Sequence, residues 1–223
     1  MLITQLLLSI GQYLNSIGIK VEPNQSTFLV APTGAGKTTL TMEELKTQDK
    51  SVVILVPTQA KVMELQNKYS GKVALKSEYL FFCANENPDE NIGKFKGVIV
   101  ATYDKFDKII KLMSDSQKKE ALLVIDEAHK LYSAGSFRDD ALTPIIWHLQ
   151  KRSIPTCLFL TATKTTELFD QLKIEIDQEI FVKHQNPPVR DIRVTSLPNG
   201  DQYTAIAIIE QKVRELIKSS DSS

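Results

Sequence analysis

Thr27-Phe-Leu-Val-Ala31 runs directly into Pro32-Thr-Gly-Ala-Gly-Lys-Thr-Thr39, and the reading of this stretch decides the fold. The first five residues are apolar or β-branched, as a buried strand requires. A glycine-containing turn follows, and then a Lys-Thr pair that opens a helix. A strand, a glycine turn and a helix start in that order make a phosphate loop. Gly34 and Gly36 let the backbone wrap close to a polyphosphate with its N–H groups pointing inward as donors. Lys37 brings a point charge to the β- and γ-phosphates, and the Thr38 hydroxyl is placed to ligate Mg²⁺. The positive end of the helix adds to both. Thr33, Gly34, Ala35, Gly36, Lys37, Thr38 and Thr39 are thereby assigned to the nucleotide. The general pattern has Gly where this chain has Ala31, so the loop is a variant form.

The next informative stretch is Ala121-Leu-Leu-Val-Ile-Asp-Glu-Ala-His129. An apolar strand ending in Asp126 delivers a carboxylate to the C-terminal edge of a sheet, where ligands of open α/β sheets bind. Asp126 can hold Mg²⁺ through its water shell, and Glu127 can orient and polarise the water that attacks the γ-phosphate. Alone, Asp-Glu-Ala-His is equally an acidic helix start. In one chain with the phosphate loop, the nucleotide reading prevails.

Outward from these two stretches, short β-branched runs alternate with amphipathic ones, the pattern of a mainly parallel sheet with helices on both faces. Strands are predicted at residues 27–31, 51–56, 97–101, 121–125, 156–160 and 179–183, with a short one at 72–75. Helices are predicted near 37–47, 59–69, 105–113, 139–151 and 165–172, and residues 83–96 read as a loop. Leu2, Leu6, Ile10, Leu14 and Ile17 recur at helical spacing, which predicts an N-terminal amphipathic helix packed on the domain. After the Asn186-Pro-Pro188 breaker come a predicted strand at 191–196 and a helical pattern at 203–218, then a Ser-rich end.

Three weaker strings complete a resemblance. Ala31 to Thr39 looks like motif I of the superfamily 2 helicases, and Asp126 to His129 spells the DEAH form of motif II. Val56-Pro-Thr-Gln59 resembles motif Ia, Val100-Ala-Thr-Tyr-Asp104 motif Ib, and Thr161-Ala-Thr163 motif III. Each is individually a common turn or helix cap; their order, each after a strand, is what carries weight. The resemblance implies a RecA-like ATP-binding domain over residues 1–183. It also implies that 184–223 are the interdomain linker and first helix of a second RecA-like domain, supplied downstream or by another subunit. ATP and Mg²⁺ are the implied cofactors, with Lys37 and Glu127 catalytic and Thr38 and Asp126 at the metal. Thr58 and Thr102 are the implied contacts to single-stranded DNA or RNA, while His129, Thr161 and Thr163 couple them to the ATP site. No Q-motif is evident upstream of the loop. Nothing after Thr163 resembles motifs IV to VI, and Arg190 and Arg193 do not match the arginine finger. The isolated chain is therefore expected to be a weak or inactive ATP hydrolase.

Bulk composition limits the alternatives. Lys plus Arg and Asp plus Glu both number 27 among 223 residues, so no surface-wide polycationic glove exists, although a local basic face is compatible with that balance. Cys83 and Cys157 lack ligand spacing, which points to a reducing, cytoplasmic setting without zinc or disulfides. No segment reaches membrane-spanning length free of polar residues. Trp147 is expected in packing and His148 at the surface of one helix, and Lys118-Lys119 and Lys151-Arg152 as solvated pairs. Two further readings stay open: a nucleotide-gated binding or regulatory module without turnover, and a P-loop ATPase acting on protein partners.

Overall fold

Val52-Val-Ile-Leu-Val56 has no polar residue, so a strand made from it must be buried on both faces. In a computed structural model of the chain, which describes residues 2–9, 11–46, 50–70, 78–84, 86–133, 139–164 and 167–185, that is where it lies. Val52, Ile54 and Val56 enter one hydrophobic cluster and Val53 and Leu55 the other, on the opposite side of the sheet. The strands are β1 (Leu2–Leu8), β2 (Ser26–Val30), β3 (Val52–Val56), β4 (Tyr79–Phe82), β5 (Val98–Thr102), β6 (Leu122–Ile125), β7 (Thr156–Thr161) and β8 (Gln178–His184). They form one sheet in the order β1-β8-β2-β7-β6-β3-β5-β4, every pairing parallel.

Helices cover both faces. The helical segments are α1 (Lys37–Thr39), α2 (Gln59–Ser70), α3 (Phe106–Leu112), α4 (Asp115–Glu120), α5 (Lys130–Ser133), α6 (Asp139–Gln150) and α7 (Glu167–Leu172). Leu40 and Met42, with Val62, Leu65 and Tyr69 of α2, pack on Leu29, Leu158 and Leu160. On the other face Ile109 of α3, Ile145 of α6 and Phe169 of α7 pack with Phe28 and Phe159, the three aromatic rings meeting edge to face. The order β2-β7-β6 has a direct consequence for the site. The phosphate loop leaves β2 and the Asp126 turn leaves β6, so the end of β7 lies between them.

The largest departure from the sequence reading is at the N-terminus. Residues 2–8 form a strand paired with β8, from Leu2 opposite Gln178 to Leu8 opposite His184, and only Leu14–Ile17 turn helically, as one 3₁₀ turn. A spacing of four fits a strand face as well as a helix face. Leu6 and Leu8 share an inward side while Ile3, Gln5 and Leu7 stay exposed, and pairing along β8 decides between the two periods.

Departures elsewhere are smaller. α1 extends as a single π turn over Leu40–Glu44, closed by Leu45 N–H to the Leu40 carbonyl at 2.9 Å, instead of a regular helix to Thr47. Thr38, Thr39 and Thr41 are poor helix formers, and the Thr41 hydroxyl donates back to the Thr38 carbonyl. Strand β4 and helix α4, which Ser114 caps by accepting from Gln117 N–H, lie in stretches with weak periodicity. Trp147 is 52% exposed, whereas His148 is half-buried with Nδ1 2.9 Å from the Ser153 hydroxyl, the reverse of their expected places. Arg152 is partly exposed and ion-paired with Asp177.

The chain divides into Met1–Asn186 and Pro187–Ser223. The second unit lies outside the described residues, as do the predicted strands at 72–75 and 191–196, the helical pattern at 203–218, Arg190 and Arg193. Among the described residues no helix is long and apolar enough to cross a membrane.

Candidate nucleotide site

Strand β2 carries the backbone to the sheet edge, where Ala31 N–H donates to the Thr161 carbonyl at 3.0 Å. The chain then turns through Gly34 and Gly36, whose φ angles of 81° and 89° lie in the left-handed region that glycine alone enters without strain. A Cβ on Gly36 would also stand 3.3 Å from the Cβ of Tyr13. Ala35 is buried, and its carbonyl accepts from Leu14 N–H at 2.9 Å, tying the loop to the segment that precedes β2. Lys37 folds back across the loop: its Nζ donates to the carbonyls of Ala31 (2.7 Å) and Pro32 (3.1 Å). Burial lowers the pKa of this ammonium, against the opposing pull of Glu127 and Asp126.

From the other side β6 delivers Asp126, whose N–H donates to the Leu55 carbonyl at 2.9 Å. Burial, followed by the neighbouring Glu127 charge, raises the Asp126 carboxyl above its ordinary value. One of its oxygens accepts from Glu127 N–H at 3.1 Å. Glu127 itself has φ 53°, a left-handed conformation that costs a side-chain-bearing residue energy and persists where its surroundings enforce it. Ala128 N–H, anchored on the Leu160 carbonyl at 2.8 Å, is part of that enforcement.

Lys37, Thr38, Asp126 and Glu127 line a single cleft of about 510 Å³ together with Thr33, Gly34, Gly36 and Thr39. Its remaining lining was not legible as site residues in the sequence. Tyr13 and Asn15 form one wall, and Lys61 of α2 another, its charge acting on Asp126. Lys61 could have been found from its position in the first turn of the predicted helix; Tyr13 and Asn15 have no such signal. The donor set bears on the metal. Among the described residues no group of three or more His, Cys, Asp or Glu side chains is placed to hold a metal. A hydroxyl and one or two carboxylates facing a phosphate cradle are, however, the hard oxygen donors with which Mg²⁺ binds when nucleotide phosphates and water complete its octahedron. The residues fit that ion when it arrives with a nucleotide.

The three residues assigned to coupling meet. His129 Nδ1 lies 3.0 Å from the Thr161 hydroxyl oxygen and 3.3 Å from a Glu127 carboxylate oxygen, and the same Thr161 oxygen accepts from Thr163 N–H at 3.0 Å. Two hydrogen-bond patterns are compatible with these distances, and they exclude each other. A protonated Nδ1 donates to Glu127 and Thr161, or a bare Nδ1 accepts the Thr161 proton and leaves Glu127.

Thr58 and Thr102 are placed differently from one another. Thr58 is exposed and caps α2, its hydroxyl oxygen accepting from Lys61 N–H at 3.3 Å. Thr102 is buried at the end of β5, and its hydroxyl oxygen has no hydrogen-bond partner. The following residue, Tyr103, reaches the site from below: its hydroxyl donates to the Asp126 carbonyl at 2.5 Å. Burial raises the pKa of that phenol, so it stays a donor at every ordinary pH.

A parallel sheet with helices on both faces and a glycine loop leaving a central strand is a RecA-like domain. A sequence model of the DEAD/DEAH box helicase family matches residues 15–171, and the chain belongs to that family. The ATP-dependent DNA helicase Hel308 of Aeropyrum pernix is 26% identical over 117 residues, half of this chain and 15% of that protein. The helicase domain of Pyrococcus furiosus Hef superposes with a TM-score of 0.51 and 26% identity, over 76% of this chain and 38% of that one. The yeast DEAD-box splicing factor Prp28 gives 0.47 and 19%, over 73% and 43%. The chain thus spans well under half the length of each of these relatives.

Proposed function

We propose that residues 1–183 are the ATP-binding half of a nucleic-acid-dependent motor. It would hydrolyse ATP with Mg²⁺ and couple that step to translocation along, or unwinding of, DNA or RNA. The observation that carries this reading is the convergence of Lys37, Thr38, Asp126 and Glu127 on one cleft from two strands separated only by β7.

The loop amides of residues 33–39 would cradle the phosphates. Lys37 would exchange its two loop carbonyls for β- and γ-phosphate oxygens, a substitution that keeps its donors satisfied. The Thr38 hydroxyl and Asp126 carboxylate would hold Mg²⁺, which when bound neutralises charge on the phosphates. Glu127, pre-set by its left-handed backbone, would orient the attacking water and take its proton. The exposed ring of Tyr13 stands over the loop, where the ribose and base of a nucleotide would extend from the phosphates. His129, Thr161 and Thr163 would report the state of Glu127 along β7, and Thr58 would meet a nucleic-acid phosphate. Thr102, being buried, would need its loop to shift before doing the same. Residues 184–223 would lead into a second RecA-like domain, downstream or in another subunit, that closes the cleft and supplies an arginine.

A second reading, a nucleotide-gated module without turnover of its own, draws support from arginine placement. Arg152 is the only arginine among the described residues, and it is bound to Asp177 at the opposite sheet edge from the cleft. ATP hydrolysis by the 223-residue chain, alone and with single- or double-stranded DNA and RNA, separates the readings, with Glu127→Gln as the blank. Stimulation by one nucleic acid supports the motor; tight binding with no turnover on any of them supports the switch.

A further inference from the structure

The turn that carries Asp126 and Glu127 is held by more than its own strand. Tyr103 opens a 3₁₀ turn directly after β5, two strands away from β6 in the sheet order. Its ring is 6% exposed and belongs to the same cluster as Ile125, Ala128 and Phe106. The hydroxyl donates to the Asp126 carbonyl at 2.5 Å and lies 3.5 Å from the Glu127 carbonyl. It therefore meets the carbonyls on both sides of the strained Cα, while Asp126 N–H on the Leu55 carbonyl and Ala128 N–H on the Leu160 carbonyl pin the turn before and after it. A left-handed Glu127 relaxes toward an ordinary conformation by rotating these peptides, and such a rotation would carry the Asp126 carbonyl off the phenol.

We propose that Tyr103 is a positioning residue for Glu127: its hydroxyl locks the left-handed turn so that the carboxylate points into the nucleotide cleft. The inference rests on the assignment of Glu127 as the water-orienting group. It also gives the end of β5, the strand that carries Thr102, a direct bond to the catalytic turn, independent of the His129–Thr161 relay along β7.

Tyr103→Phe removes the hydroxyl and keeps the ring, so the core stays filled. Two readouts on the full 223-residue chain test it. Amide hydrogen exchange should speed up about tenfold or more at residues 126–129, with the affinity for Mg·ATP unchanged and the melting temperature lowered by only about 2–4 °C, as loss of one buried hydrogen bond entails. Single-turnover hydrolysis of bound Mg·ATP should slow about tenfold at saturation, without a change in apparent KM. Unchanged exchange at 126–129, or turnover equal to that of a parent chain whose own turnover exceeds the Glu127→Gln blank, overturns the proposal. Measurable and equal turnover by the parent and Glu127→Gln chains would instead overturn the assignment of Glu127, while the exchange result still decides whether Tyr103 locks the turn.

Discussion

Asp126 shows most clearly how function and stability oppose each other at a single residue. Its carboxyl titrates above the ordinary carboxylate range because burial and Glu127 disfavour its charge. A carboxyl whose folded pKa is raised contributes fully to stability only below its unfolded pKa, and the contribution is lost as pH rises through the folded value. The ionised group is therefore a cost that a bound cation would offset. Asp126→Asn should raise the melting temperature of the nucleotide-free chain, by about 2–4 °C per kcal/mol of penalty removed, and abolish the Mg²⁺ dependence of ATP binding. A variant that melts lower, with Mg²⁺ dependence intact, would place the metal elsewhere. Glu127→Gln should leave ATP affinity intact and slow turnover about 10²–10⁴-fold, checked by single-turnover kinetics. Both acids were legible because they follow one buried strand, residues 121–125, in a chain that also carries a phosphate loop. It was silent on Tyr13, Asn15 and Tyr103, since their roles come from contacts between distant segments, and a single sequence carries no spacing rule for those.

At the scale of elements, β7 decides both packing and communication. Phe159 is fully buried, with its ring centroid 4.9 Å from that of Phe169, so Phe159→Ala should cost about 3–5 kcal/mol in denaturant unfolding. Two residues on, Thr161 is equally buried but spends its hydroxyl on His129 and Thr163. Thr161→Val keeps the shape and should leave Mg·ATP affinity within about twofold, while cutting any stimulation of hydrolysis by nucleic acid about tenfold. Unaltered stimulation would mean that the signal does not pass through β7. The strands predicted at 27–31, 51–56, 97–101, 121–125, 156–160 and 179–183 all form within a residue of those bounds, because each is a short, largely apolar run set off by turn residues. The failures are instructive. At residues 2–8 the two periods coincide over a short run, and only pairing with β8, far along the chain, resolves them. The π turn after α1 arises from competition between threonine hydroxyls and backbone carbonyls, which periodicity does not register.

At the scale of the whole molecule, the proposed motor would take its arginine finger from a second RecA-like domain, since the one arginine among the described residues, Arg152, is ion-paired with Asp177. An arginine finger contributes about 10³–10⁵-fold in related phosphoryl transfers. A longer parent protein with a second RecA-like domain should therefore exceed the 223-residue chain in nucleic-acid-stimulated turnover by about that factor, compared at saturating ATP. Under the proposed function the cleft between the β2 loop and the β6 turn binds Mg·ATP through Lys37. Calorimetric titration of Mg·ATP into the parent chain and into Lys37→Ala tests it most directly. The parent should show a single site and the variant an affinity at least about 10²-fold weaker; equal affinity in the two would place the nucleotide elsewhere.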